Sequence, residues 1–238
     1  MSLRITVWNA EWALPGSHKG AAIGEILAAL EPDLICLTEA VPPLLPPGGH
    51  TITSEADYGY PVKPGRRKVL LWSRHPWRDI DPLGHTGLPS GRFISGLTGS
   101  PLGPVRVVGV CIPWARAHVS TGRRDRKPWQ DHLSFLQYLP ETLNSPAPLL
   151  LAGDFNQTLP RTSAPLAANS ALVKTLHQLA VPTAGPIPPL ERLLIDHLAH
   201  SPHFTTTGIR GIPRHLPSGL PLSDHDGVSL TLSAAPSR

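Results

Sequence analysis

Cysteine is nearly missing from this 238-residue chain: there are two, Cys36 and Cys111, each inside an apolar run. That scarcity excludes a disulfide framework and a cysteine-based zinc site, and it reads as two buried thiols in a reducing compartment. Long apolar runs are missing too. None approaches the length of a bilayer span, so no membrane segment is expected. The first residues, Met1 to Ile5, enter a strand pattern at once, without a charged region leading into an apolar one, and the expectation is a cytoplasmic protein. Charge is sparse at 16%, with 21 Lys+Arg against 17 Asp+Glu for a net +4. That balance permits an anionic substrate without demanding nucleic acid. The length suits one domain over 1–238, expected as a monomer, with core enough to fold without staples.

What is present centres on Leu149-Leu150-Leu151-Ala152-Gly153-Asp154-Phe155-Asn156. A short apolar run ended by Gly reads as a strand buried on both faces, and polar residues at such a strand end are where open α/β sheets place chemistry. Two residues apart, Asp154 and Asn156 are expected on one side of the strand, where a carboxylate and an amide can serve the same substrate group. Alone, the octapeptide is equally a strand closed by an Asx-type turn. The other strand ends add weight. A β-rich run over 4–8 leads into Asn9 and Glu11, and 33–38 reads as a buried strand ending in Glu39, a carboxylate that needs a partner at such a place. Leu193 to Ala199 reads as a strand with Asp196 inside it, a position where Asp is depleted. Asp224 and His225 precede a last strand over 228–232.

Apolar spacing at i, i+3, i+4 and i+7 predicts helices over 17–31, 128–143 and 166–179, with Pro140 kinking or shortening the second. Further strands are read over 68–73, 92–97 and 105–112, the last two as a hairpin turning at 101–104. The Pro- and Gly-rich segments 41–60, 74–90 and 202–221 read as loops. Strand 4–8, helix 17–31 and strand 34–38 repeat in order as strand 105–112, helix 128–143 and strand 149–153, which suggests two related halves.

Acids and amides without cysteine partners suit a hard cation, Mg²⁺ or Mn²⁺, and such an ion neutralises a phosphate. Asp196 and His225 fit a carboxylate–imidazole pair. In order, Trp8-Asn9-Ala10-Glu11, Leu37-Thr38-Glu39-Ala40, Gly153-Asp154-Phe155-Asn156, Ile195-Asp196-His197 and Ser223-Asp224-His225 resemble the motifs of the endonuclease/exonuclease/phosphatase superfamily, as does Leu70-Leu71-Trp72-Ser73-Arg74. The resemblance implies an α/β fold, a four-layer α/β/β/α sandwich of two mostly antiparallel mixed sheets flanked by helices. It implies metal-dependent hydrolysis of a phosphoester by an activated water. It also implies Glu39 as main metal ligand with Asn9 and Asp224 nearby and Glu11 possible, Asp154 acting on the water, Asn156 donating to phosphoryl oxygens, and His225, paired with Asp196, contacting the phosphate. His197, alternating with Asp196, points away and is structural.

One departure stands out. Cys111, with Trp114 three residues on, occupies the place where nucleases of this family carry His or Tyr, often followed by Asn. A thiol cannot protonate a leaving oxygen as His does. Trp114, Arg116 and His118 in the following loop, and Arg67 in the cluster at 66–68, are the candidate substrate-binding residues. The leading expectation is a nuclease acting on DNA or RNA. The alternatives are a phosphoesterase for a small or lipid phosphate and a non-catalytic binding module that kept the fold.

Overall fold

The computed structural model describes residues 1–236. Two mixed sheets are stacked at its centre. The first has six strands: β1 (Leu3–Asn9), β2 (Leu34–Ala40), β3 (His50–Thr53), β4 (Arg67–Ser73), β10 (Phe204–Ile212) and β11 (Gly227–Ala234), in the order β10-β11-β1-β2-β4-β3. The second has β5 (Trp77–Asp81), β6 (Phe93–Thr98), β7 (Val105–Cys111), β8 (Leu149–Asp154) and β9 (Asp196–His200), in that order. Each sheet holds one parallel pair, β1 with β2 and β7 with β8, and is otherwise antiparallel. Each parallel pair is bridged by one helix, α1 (His18–Ala29) in the first and α2 (Gln130–Thr142) in the second, as the repeated element order implies.

Strand alternation builds the layers. Leu3, Ile5, Val7, Leu34, Cys36, Val69 and Leu71 face inward and meet Val105, Val107, Leu150, Ala152 and Leu198 of the second sheet. The alternate residues Trp8, Ile35, Leu37, Leu70 and Trp72 face outward, under Ile23 and Leu27 of α1. On the far side Val108, Val110, Leu149 and Leu151 pack against Phe135, Leu136 and Leu139 of α2 and against Leu172 of α3 (Leu166–Thr175). The result is a four-layer α/β/β/α sandwich. No helix among the described residues is long and apolar enough to cross a membrane.

Helix α1 starts where Ser17 accepts a hydrogen bond from the Gly20 N–H at 3.0 Å. Helix α2 runs past Pro140 to Thr142. The carbonyl that Pro140 leaves without its helical donor is that of Leu136, and the Thr175 hydroxyl of α3 reaches it at 3.4 Å. Helix α3 stops at Thr175, four residues short of the expected end. Asp196 opens β9 instead of lying inside it, so the strand interior carries no carboxylate. Three segments read as loops contain strands, β3, β5 and β10, and the first also holds a single 3₁₀ turn, Pro42–Leu44. All three strands are sheet edges. An edge strand buries little, and β5 exposes its three central residues, so the apolar signal that marks inner strands is weak there.

Beneath the outer face of the second sheet, His132 and His197 share Gln157. His132 lies 2.7 Å from both the Pro113 carbonyl and the Gln157 amide nitrogen. His197 lies 3.0 Å from the Gln157 carbonyl and 2.9 Å from the Thr183 hydroxyl. Burial holds both rings down to about 4. The unfolded chain protonates them near 6.5, and the folded chain does so only near 4. Their contribution to stability is therefore complete above pH 6.5 and lost as pH falls toward 4, by up to about 3 kcal/mol per ring. Against the wild type, His132→Gln and His197→Gln should each show a smaller loss of urea midpoint between pH 6.5 and 4, whereas an unchanged pH dependence in both variants contradicts the neutral, buried network.

Candidate active site

The site lies at one end of the sandwich, where strand ends of both sheets meet. Three of these ends are closed by a side chain taking the backbone N–H two residues on. Asn9 Oδ1 accepts from Glu11 N at 2.9 Å, Asp154 Oδ1 from Asn156 N at 2.8 Å, and Ser223 Oγ from His225 N at 3.1 Å. The Asx turn that competes with a functional reading of 149–156 is thus present, and it is what brings Asn156 back onto Asp154. Asn156 has φ 55, so the pair meets through this turn and not through strand alternation. Gly153 sits at φ 136, where an added Cβ would lie 1.9 Å from the Val110 carbonyl oxygen, so only glycine delivers Asp154 here.

Asp154 continues the inward face of β8 and is 2% exposed. Its Oδ2 takes the Asn156 amide at 2.9 Å and the Asn9 amide at 3.4 Å, the latter a bond between the sheets. Burial pushes its carboxyl up to about 7; His225 pulls it down, and Asp196 and Glu39 add to the rise. Asp196 is fully buried, and its Oδ2 lies 2.5 Å from His225 Nδ1, again joining one sheet to the other. Burial opposes charge on the His225 ring, but the Asp196 carboxylate outweighs it and the ring rises to about 10. Burial also raises Asp196 against the pull of His225. With donor and acceptor this close, we read a carboxylate–imidazolium pair. It leaves His225 Nε2 toward the cavity, with Asp224 Oδ1 at 3.8 Å, beyond hydrogen-bond reach. Trp8 fixes the loop by donating Nε1–H to the His225 carbonyl at 3.0 Å.

A cavity of ≈ 640 Å³ gathers Glu39, Asp154, Asn156, Asp224, His225 and Trp114. Asp196 and Asn9 stand directly behind it through His225 and Asp154. Four expected residues are not brought in. Strand β1 ends at Asn9, and Glu11 at φ 45 turns outward to pair with Lys19 at 2.5 Å, so alternation does not carry it to the site. Arg67 donates to the Arg66 carbonyl at 2.8 Å, and its neighbour Arg66 lines the cavity instead. Arg116 is exposed away from the cavity. His118 is buried behind the wall, stacked on Tyr60 at 4.5 Å. Asn156 is tied to the protein on both sides of its amide. Its amide donates to the Ile112 carbonyl at 2.7 Å and to Asp154 Oδ2 at 2.9 Å, so both N–H groups are occupied.

The cavity also holds residues beyond the candidates Trp114, Arg116, His118 and Arg67. Trp12 stacks on Tyr58 at 5.8 Å, and Tyr60 follows at 5.8 Å. Lys63, Arg66, Lys68 and Arg92 supply positive charge. Lys68 falls opposite Glu39 on the β2/β4 ladder and pairs with it at 2.5 Å. Two of the three tyrosines, Tyr58 and Tyr60, fall in one Pro- and Gly-rich loop, which was the available signal, since a loop has no core to fill.

Asp154, Asp196 and His225 offer ligand atoms within 4.8 Å of one another. The imidazolium of His225 is no ligand while it keeps its proton. Glu39, Asp154 and Asp224 line the cavity, and beyond burial Asp196 and Glu39 push Asp154 upward, a repulsion that a cation relieves. Burial pushes the Cys111 thiol up to about 12, so no soft ligand competes. The donor set fits a hard divalent cation.

The Endonuclease/Exonuclease/phosphatase family profile matches residues 6–225. No curated protein matches the sequence. Solved structures share the fold at low identity. A humanised D. rerio TDP2 superposes with TM-score 0.70 at 14% identity, over 98% of this chain and 99% of that one. The 3′ phosphatase NExo from Neisseria, bound to a product DNA hairpin, gives 0.68 at 18%, over 96% and 98%. An AP endonuclease from Archaeoglobus fulgidus gives 0.66 at 17%, over 98% and 99%.

Cys111 is 1% exposed. Its thiol should resist iodoacetamide at pH 8 by about a hundredfold or more relative to the unfolded chain, because thiolate is the reactive form. Labelling at a free-thiol rate in the native state, read by mass spectrometry, contradicts this environment.

Proposed function

Because this chain belongs to the Endonuclease/Exonuclease/phosphatase family, we propose that it is a divalent-metal-dependent phosphoesterase that hydrolyses a phosphodiester in single-stranded DNA or RNA. The observation that carries this reading is the composition of the cavity at this end of the sandwich. Carboxylates and an imidazolium form its floor, and stacked aromatics with cations form its wall. A buried acid and base set serves chemistry at phosphorus, and the wall of Trp12, Tyr58, Tyr60 and Trp114 beside Lys63 and Arg66 matches a base with its phosphate. The volume is that of a nucleotide-sized ligand.

Glu39, with Asp224 and Asn9 near it, would hold Mg²⁺ or Mn²⁺, which would supply positive charge at the phosphoryl oxygens. The protein's own groups do the rest. Asp154, raised to about 7, is matched to take a proton from an attacking water near neutral pH. The amides of Asn9 and Asn156 fix its carboxylate. Asp196 keeps His225 charged, and Nε2–H of that ring donates to a phosphoryl oxygen as charge builds there.

Hydrolysis of a single-stranded oligonucleotide should require Mg²⁺ or Mn²⁺ and stop in excess EDTA. Asp154→Asn and His225→Ala should each lower turnover by about two orders of magnitude or more. Undiminished cleavage in EDTA removes the metal, and wild-type rates in both variants remove the site. A base-paired substrate should be cleaved more slowly than the single strand, and the reverse order contradicts the role given to the aromatic wall.

A further inference from the structure

Arg92 is the group in this cavity that the account so far leaves unexplained. It lies just before β6 and directly opposite Cys111 at the end of β7, where Cys111 N donates to the Arg92 carbonyl at 3.0 Å. Its side chain is 2% exposed, yet it lines the same cavity as Asp154, Asn156 and Cys111. Nη1 makes two long contacts, with the Cys111 carbonyl at 3.4 Å and with Sγ at 3.8 Å. Nη2 is buried and has no hydrogen-bond partner among the described residues. No carboxylate lies within ion-pair distance of the guanidinium among those residues, whereas Lys68, Arg126 and Arg192 each have one.

A guanidinium cannot shed its proton to escape this position, since it stays charged at any pH at which the chain folds. Burying it unpaired costs several kcal/mol. Such a cost is tolerated at functional sites, where the missing partner is the ligand. The place is also telling. Sγ of Cys111 is 4.0 Å from Asp154 Oδ2, so the arginine's neighbour on the paired strand touches the buried acid. The small thiol leaves room for the neighbouring strand's arginine to reach the cavity across it.

We infer that Arg92 is a phosphate-binding residue of this site, its guanidinium donating to a non-bridging oxygen of the scissile phosphoester in the place that Cys111 leaves open. This rests on the phosphoesterase reading and deepens it. An arginine here supplies charge and a fixed donor, not a proton, so it acts on the phosphoryl oxygens and not as an acid for the leaving group.

Inorganic phosphate, titrated against the thermal midpoint of the whole chain in EDTA at constant ionic strength, reads this contact without turnover. Phosphate should raise the wild-type midpoint. Arg92→Met should fold with a midpoint at or above that of the wild type in phosphate-free buffer, because an unpaired buried charge is gone, and it should lose the phosphate-dependent rise. A purely structural arginine gives the opposite: a midpoint several degrees lower, or no folded protein. An undiminished phosphate response in Arg92→Met, or none in the wild type, also overturns the inference. Arg92→Lys keeps the charge and should fold, with phosphate affinity lowered at least tenfold; unchanged affinity contradicts a directed donor. With Mn²⁺ and bis-p-nitrophenyl phosphate, kcat/KM of Arg92→Met should fall about a hundredfold and recover in part with millimolar guanidinium ion. If the wild type hydrolyses no phosphoester, the proposed function fails, while the phosphate titration still decides Arg92.

Discussion

The buried contact between Asp196 and His225 is the constraint on which the rest of the molecule turns. Asp196 begins an edge strand of one sheet, and His225 sits in the loop that enters the central region of the other. Neither charge could stay in that interior alone. Together, at 2.5 Å, they neutralise each other and clamp the two sheets at the end where the cleft opens. The clamp also sets direction: with Nδ1 committed to Asp196, only Nε2 of the ring is presented to a ligand. The Asn9 amide on Asp154, at 3.4 Å, repeats that crossing, and Ser223, which donates to the Asn9 carbonyl at 2.7 Å, ties the His225 loop to β1 within the first sheet.

Around that clamp the cleft holds more charge than a structural core would keep. Glu39 is balanced by Lys68, and Asp196 by His225, while Asp154 and Arg92 have no counter-ion within pairing distance among the described residues. An acid pushed upward by burial and a cation with no partner are complementary demands. The first calls for positive charge and a proton to take, and the second for negative charge to hold. On the proposed function, a phosphoester with its divalent cation answers both at once.

Much of this was legible in the sequence because inner strands declare themselves. Apolar or β-rich runs over 4–8, 34–38, 105–112 and 149–153 marked inner strands of both sheets, and the polar residues that follow three of them, Asn9, Glu39 and Asp154, line the site or stand directly behind it. The edge strands β3, β5 and β10 were not legible, because a strand paired on one side and half exposed carries no continuous apolar signal. Alternation also failed wherever the strand had already ended. Glu11 and Asn156 both sit at positive φ, so one left the site and the other reached it by a turn. Arg92 was invisible for a different reason: Gly-Arg-Phe at a strand start looks like any solvated arginine, and its burial depends on the partner strand and on the small size of Cys111. Among loop residues, Trp114 reached the cavity while Arg116 and His118 did not, a distinction that spacing alone does not contain.

The central claim is that these distant residues form one cation- and phosphate-binding cleft. A crystal structure with Mn²⁺ and inorganic phosphate, with the ion located by anomalous scattering, tests it most directly. The account predicts manganese bonded to Glu39 in the shared cavity, with the phosphate beside it contacting His225 Nε2. Manganese bound elsewhere, or a phosphate that meets none of Glu39, Asp154, His225 and Arg92, would contradict it.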